Sequence, residues 1–345
     1  MKKYFTVKVF ALPLLIAAGI MMVVYSTVVK QALSQALNLC AQTLIPSLFA
    51  FLCLCGTAVP YSDSAPRFLR LMHEKVFRVP GNTCCVFLLS LIGGYPVGPM
   101  MCAAMYEQKR IDSRTAAILP LFCCASGPAF SVIFVGESLC GSKSVGYILL
   151  SSGMLSQILI ALFFAIKNRK KSLCKGDDLY KETPPFSTAF LGAVETSITA
   201  MLRICAFVML FCVLTAFIMR LPLPQAAKQF LCALLEVTGG VTLYPHNIPM
   251  CAFLLGFGGV SIIFQVHGYL AATGTKLSAF LLSRLVSGLL CAGICKGLLV
   301  LFPQAVPTLA GDIKMQTISL CAPFSAMLII SFAVFILDTS KKLES

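Results

Sequence analysis

The chain has 345 residues, 58% of them hydrophobic and 12% charged, with a net charge of +14. That much apolar surface exceeds what a soluble domain of this length can hide, which excludes a soluble enzyme and points to an all-α polytopic membrane protein. The basic residues sit in short loops beside apolar runs rather than in one aromatic-interleaved patch, so they read as topology signals and no nucleic-acid partner is expected.

Lys2, Lys3 and Lys8 precede an apolar run at 9–29. The run is too long for a signal peptide and no small-residue cleavage site follows, so it is expected as a retained first crossing. Uncharged or nearly uncharged windows at 36–59, 113–135, 144–166, 277–301 and 316–337 are each close to the roughly 20 residues that span a bilayer. A seventh crossing is expected within 187–219. From Ser64 to Val79, apolar Phe68, Leu69, Met72, Val76 and Phe77 recur at helical spacing among cations, the pattern of an interfacial helix.

The next segment, Leu88 to Tyr106, has no charge but carries Gly93, Gly94, Pro96, Gly98 and Pro99 in its middle. Its two readings are a proline-kinked span and a re-entrant hairpin over 83–106. Only the hairpin leaves the basic segments at 60–80 and 107–114 on one side. It also explains the helix breakers, because a tip must break its helix against protein or a watery cavity. Met250 to Thr273 repeats the theme around Gly256, Gly258 and Gly259 and is expected as a second hairpin over 250–273. Pro224 to Gly240, before it, is expected to be another interfacial helix.

The chain therefore divides into a leading span, a first repeat over 30–166, a cytoplasmic linker over 167–186 and a second repeat over 187–337. Each repeat holds three crossings, an odd number, so the second is inverted relative to the first. The N-terminus is then cytoplasmic. The far side carries Lys30, Lys143, Arg220, Lys228 and Lys276, with the tail residues Lys341 and Lys342 as the one mild exception to the charge rule.

Two tips meeting near the midplane would place helix ends, with their free N–H groups, around one cavity suited to a small anion. The first tip offers Gly93, Gly94, Tyr95, Pro96 and Gly98; the second offers Gly258, Gly259 and Ser261, with Gln265 in its second arm. The alternative is that these glycines serve hairpin packing alone. Ser126, Gly127 and Pro128 interrupt the third crossing and could line the cavity. Arg284 lies inside an apolar span, where it either clamps a carboxylate or snorkels toward the interface near Lys276. Glu195, Thr199 and Arg203 share one helix face, which suits an ion pair with another helix. His267 is either a proton-coupling group or a satisfied polar residue, and Glu236 is either solvated or a turn anchor. Neither hairpin contains Asp or Glu, which favours an anionic substrate.

The seventeen cysteines lie mostly within apolar runs and read as reduced small hydrophobes. Without a CxxC pair or a nucleophile motif, phosphate loop or paired carboxylates, no metal, cofactor or enzymatic activity is expected. The driving ion, H+ or Na+, is left open.

The run from Val79 to Ile111, the CASGP of Cys124 to Pro128, the LEVTGG of Leu235 to Gly240, the run from Phe253 to Gly268 and the FLLSRL of Phe280 to Leu285 resemble the sporulation integral membrane protein family called YlbJ or SpoVV. That family lies in the nucleoside recognition or Gate group, related to concentrative nucleoside transporters. The resemblance covers about 37–301, with the motifs in order. It implies a concentrative-nucleoside-transporter-like fold and a carrier that moves dipicolinic acid across the outer forespore membrane, with a homo-oligomer left open. It also implies a basic residue at Arg284. Two departures fall at the implied site: Cys124, Ala125 and Ser126 replace a pair of asparagines, and Tyr95 replaces a common Phe.

Overall fold

The computed structural model describes residues 2–167 and 183–303. The expected crossing at 316–337 and most of the 167–186 linker lie outside the described residues. Helix α1 (Lys2–Val24) ends one residue before α2 (Ser26–Leu39), which continues through a π-helical turn into α3 (Ile45–Ala58) and a 3-10 stretch to Ser64. Ser26–Ser64 is thus one helical run of 39 residues. At 1.5 Å per residue that is about 58 Å, nearly twice the hydrocarbon thickness. The expected boundaries at 29 and 36 are therefore redrawn, and the exposed Ser34, Gln35 and Asn38 of α2 suit an end that lies outside hydrocarbon.

Helix α4 (Arg67–Phe77) buries His73 and exposes Phe68, Leu71, Met72 and Val76 among Arg67 and Lys75, as an interfacial helix does. Next, α5 (Cys84–Gly93) and α6 (Val97–Glu107) pack on each other. Asn82, before α5, donates to the Arg110 carbonyl, after α6, at 3.1 Å. The chain leaves this switchback where it entered. Gly94 makes the reversal possible with φ 87 and ψ −179, a conformation open essentially to glycine alone. Pro96 and Pro99 sit at the start of α6, where a missing N–H costs nothing.

The expected crossing at 113–135 is not a continuous helix. Helix α7 (Ser113–Ile118), capped by Asp112, runs through a 3-10 turn to Leu121; residues 122–127 are unwound, and a π-helical segment, Ala129–Leu139, completes the passage. Pro128 cannot donate a helical hydrogen bond, and Gly127 is where the switchback tip lodges. A Cβ there would lie 2.6 Å from the Ile92 carbonyl oxygen and 3.1 Å from the Gly94 nitrogen.

Helices α8 (Lys143–Lys167) and α9 (Phe186–Ile218) match the expected spans closely. α9 lies antiparallel to the Ser26–Ser64 run. Tyr25 and Phe217 meet ring to ring at 6.1 Å at one end, and the Tyr61 hydroxyl donates to the Pro184 carbonyl at 2.9 Å at the other. These contacts define a near face, which also holds the root of the first switchback, and a far face.

The second half corrects two expectations. Helices α10 (Gln225–Leu235) and α11 (Val237–Leu243) meet at Glu236 and pack on each other. Lys228 reaches the Met219 carbonyl at 3.2 Å, and the Cys140 thiol reaches the Pro245 carbonyl at 3.3 Å, so this segment enters and leaves at the far face. The surface helix expected over 224–240 is the second switchback, with Glu236 at its tip.

Met250 to Thr273, by contrast, crosses. It comprises α12 (Ile248–Phe257) and α13 (Gly259–Ala272), whose arms do not pack together, and it is followed by α14 (Leu277–Leu301). Arg284 meets Gln157, Ser287 meets Ser156 and Cys291 meets the Ser152 carbonyl, so α14 is antiparallel to α8. Because α8 starts at the far face, α14 starts at the near face, and the 25 residues of Ile248–Ala272 must connect the two. The physical reason is the shortness of the break. Gly258 and Gly259, at φ 84 and 81, redirect a helix in one step, whereas Gly94, Tyr95 and Pro96 give the first segment three residues in which to reverse.

Among the described residues five helices are long and apolar enough to cross a membrane, or six if the bent pair Arg67–Phe77 and Gly81–Gly93 is one span. The protein is a multi-pass membrane protein. Each half has a long crossing, a switchback, a broken crossing and a crossing, and the two switchbacks enter from opposite faces.

Candidate functional site

Breaking two membrane helices frees backbone carbonyls that hydrocarbon cannot solvate. In each case a side chain from the other half supplies the donor. Arg284 of α14 donates to the carbonyls of Cys124 and, at 3.0 Å, Leu121, beside the first break. Tyr95, at the first tip, donates to the Leu255 carbonyl in the last turn of α12 at 2.8 Å, just before the second break. Gly258 lets the ring approach: a Cβ there would lie 3.3 Å from Tyr95 Cε1.

Arg284 is 0% exposed. It does not snorkel. Its Nη2 also donates to Gln157 Oε1 at 3.2 Å, its guanidinium lies 5.4 Å from the Phe280 ring centre, and its Nε–H has no partner among the described residues. All these acceptors are neutral, and among the described residues no carboxylate lies within ion-pair distance. A buried guanidinium without a counter-anion is costly and is the strongest electrostatic feature of the site. Around it Gln157 donates to Ser287 Oγ at 2.9 Å, Ser287 and Ser156 lie 3.2 Å apart, and the Cys291 thiol reaches Ser156 Oγ at 3.3 Å.

Of the residues expected from sequence, Gly94, Tyr95, Gly127, Gly258 and Arg284 converge here. Gly93 and Gly98 pack the tip, Gly98 against the Cys123 carbonyl, so packing is their visible role, and Pro96 is buried at the start of α6. Ser126 accepts from Ser131 at 2.8 Å beside the unwound segment. Gly259 packs instead on the second tip, near Leu235, Glu236 and Val237. Ser261 and Gln265 are buried on α13; the Ser261 hydroxyl has no partner among the described residues. His267 and Glu195 are exposed, and Arg203 stacks 5.5 Å from the Tyr269 ring rather than pairing with Glu195. Sequence reasoning missed Gln157, Ser156 and Ser287. Their signal was polar side chains inside apolar spans, with Ser287 one turn from Arg284.

At the near face a clasp holds the root of the first switchback. Arg110, buried, pairs with Asp63, whose other carboxylate oxygen accepts from Asn82 at 2.9 Å and whose carbonyl accepts from Arg70 at 2.8 Å. Nearby, His73 Nε2 lies 3.0 Å from the Thr83 hydroxyl, and burial pushes its imidazole down to about 3. The described cysteines are free thiols.

The chain is 24% identical over 313 residues to the sporulation integral membrane protein YlbJ of Bacillus subtilis (strain 168), covering 76% of this chain and 75% of that protein. No family model and no solved structure matches the chain. The similarity carries the family resemblance read from the motifs; it carries no grouping with nucleoside-recognition proteins.

Proposed function

We propose that this protein is a carrier rather than an enzyme, that it acts without a cofactor, and that it moves a small organic anion across a membrane during sporulation. The favoured substrate is dipicolinate in the outer forespore membrane. The observation behind the reading is Arg284, a fully buried cation whose acceptors among the described residues are neutral and whose Nε has none, where a switchback tip meets a broken crossing. A carboxylate would supply the missing charge by accepting from Nε, and a second bond to the guanidinium fork would take the place of the Gln157 oxygen on Nη2. The sporulation setting rests on the YlbJ relative.

Arg67, Arg70, Lys75, Arg78, Lys109, Arg110 and Arg114 lie on the near face, against Lys30, Lys143, Arg220 and Lys228 on the far one. By the positive-inside rule the near face is cytoplasmic, as is the N-terminus. Lys276, before α14, joins the basic side.

The second reading is a neutral hydroxyl-rich solute such as a nucleoside, and the buried carboxylate of Glu236 at the second tip favours it. It also removes the argument that both tips lack acidic groups. Binding to the purified protein separates the two: the anion reading expects dipicolinate to stabilise it against heat and uridine not to, and the reverse result would sink that reading. A protein stabilised by neither would leave a non-transporting membrane scaffold.

A further inference from the structure

Glu236 is 3% exposed at the tip between α10 and α11. Its carboxylate oxygens accept only from its own turn, Oε1 from the Thr238 N–H at 3.0 Å and Oε2 from the Gly239 N–H at 2.6 Å. The tip is pressed into the second broken crossing: a Cβ on Gly259 would lie 3.1 Å from the Val237 nitrogen, 3.3 Å from the Leu235 carbonyl oxygen and 3.5 Å from Glu236 Cα. Two residues further along that crossing is the buried, unpartnered hydroxyl of Ser261.

Among the described residues no cation lies within ion-pair distance of this carboxylate. On the elements packed around it, Lys228 is drawn to the Met219 carbonyl, Arg203 to the Tyr269 ring and Arg284 to the first break; His267 on α13 is exposed. The titratable groups that face it are the thiols of Cys40 and Cys212. Among the described residues the fold therefore buries an unmatched cation at the first break and an unmatched anion at the second. An incoming anion gains from Arg284 and loses to Glu236.

We propose that Glu236 is the coupling site of the carrier, taking up one proton as the anion binds and releasing it as the anion leaves, so that the two cross together. The step is a simple exchange: the carboxylate gains a proton from water on one side and returns it to water on the other, with no bond to the substrate. A metal ion fits less well than a proton. Both oxygens face N–H donors that would repel a cation, and a sodium ion needs several converging oxygens, whereas a proton needs one lone pair. This inference rests on the carrier reading and supplies its driving force.

The test uses the full chain in vesicles with labelled dipicolinate, read in two ways: exchange at equal pH, which reports the carrier alone, and accumulation driven by an imposed pH difference, with an internal pH dye following the proton. The wild-type protein should exchange, accumulate and acidify together. Glu236→Gln keeps an oxygen for the turn but cannot titrate. It should keep exchange within about threefold and lose pH-driven accumulation and the dye signal. Wild-type exchange without dependence on either pH or sodium, or with dependence on sodium alone, overturns the proposal and leaves the carrier reading standing. So does Glu236→Gln with undiminished accumulation. If Glu236→Gln folds, judged by its melting temperature, yet loses exchange too, Glu236 is a structural cap and the proposal also fails. Absence of wild-type exchange defeats the carrier reading itself.

Discussion

Gly127 and Gly94 touch backbone to backbone: a Cβ on Gly127 would come within 3.1 Å of the Gly94 nitrogen, and one on Gly94 within 3.7 Å of the Gly127 nitrogen. The first tip and the first break are thus one seam, with no room for a side chain on Gly127 and a backbone at Gly94 that only glycine adopts freely. Gly259 against Glu236 is the corresponding seam in the other half. Gly127→Ala should destabilise the protein by about 1–3 kcal/mol, the cost of forcing a methyl group into a filled site. Gly293→Ala, where a Cβ meets nothing within 4 Å, should leave stability unchanged or slightly raised. Melting curves in detergent read both. Equal loss in the two variants would show that the seam is not tight.

Arg284 holds three acceptors in the fold, and the proposed function adds an anion to them; the two roles can be separated. Replacing it by Met strips donors from the carbonyls of Leu121 and Cys124 and from Gln157, and each buried acceptor left bare costs about 1–3 kcal/mol. Arg284→Lys keeps the charge but cannot serve all three acceptors from one ammonium group. The expected order of melting temperature is wild type, then Lys, then Met. Dipicolinate should raise the melting temperature of the wild type strongly, of Lys weakly and of Met not at all. A ligand-induced rise of equal size in Met would place the anion elsewhere.

The direction of Ile248–Ala272 is open to labelling. Single cysteines replacing the exposed His246 and Gly274, probed with a membrane-impermeant thiol reagent, should react from opposite faces, and Gly274→Cys should share its face with Gln108→Cys. Reaction of His246→Cys and Gly274→Cys from the same face would restore a hairpin at 250–273.

The sequence showed that segments break in the membrane more clearly than it showed what each break does. Gly93, Gly94, Pro96, Gly98 and Pro99 mark the first reversal because two prolines and a glycine at positive φ leave the helix no other course. Gly258 and Gly259 looked equivalent, yet two consecutive glycines without proline only kink a crossing. The Leu235–Gly240 turn, which does reverse, has a modest signal: α10 is polar enough to read as a surface helix, and Glu236 at its end looked solvated. Nothing local distinguishes a buried carboxylate from an exposed one. Burial is decided by Gly259, which lies distant in sequence. Arg284 was legible as a cation in an apolar span, but its partners are carbonyls, which a sequence does not label.

His73 gives a pH dependence on the near face. Its imidazole titrates near 6.5 when unfolded and is held down to about 3 by burial, so the folded form stays neutral. Between those values the unfolded chain binds the extra proton. The contribution is therefore complete above about pH 6.5 and declines as pH falls toward 3. His73→Gln, which can still bond Thr83, should flatten that part of the profile of melting temperature against pH. An unchanged slope would mean that burial does not lower the titration of His73 in the folded protein.

The central claim is that Arg284 holds the negative charge of a transported anion where the first tip meets the broken crossing. The most direct measurement is uptake of labelled dipicolinate into vesicles containing the purified full-length protein, comparing wild type with Arg284→Lys at matched folded fraction. The expected result is saturable wild-type uptake, with an apparent affinity at least tenfold weaker in Arg284→Lys. Saturable uptake with the same affinity in both, or no uptake by the folded wild type, would contradict it.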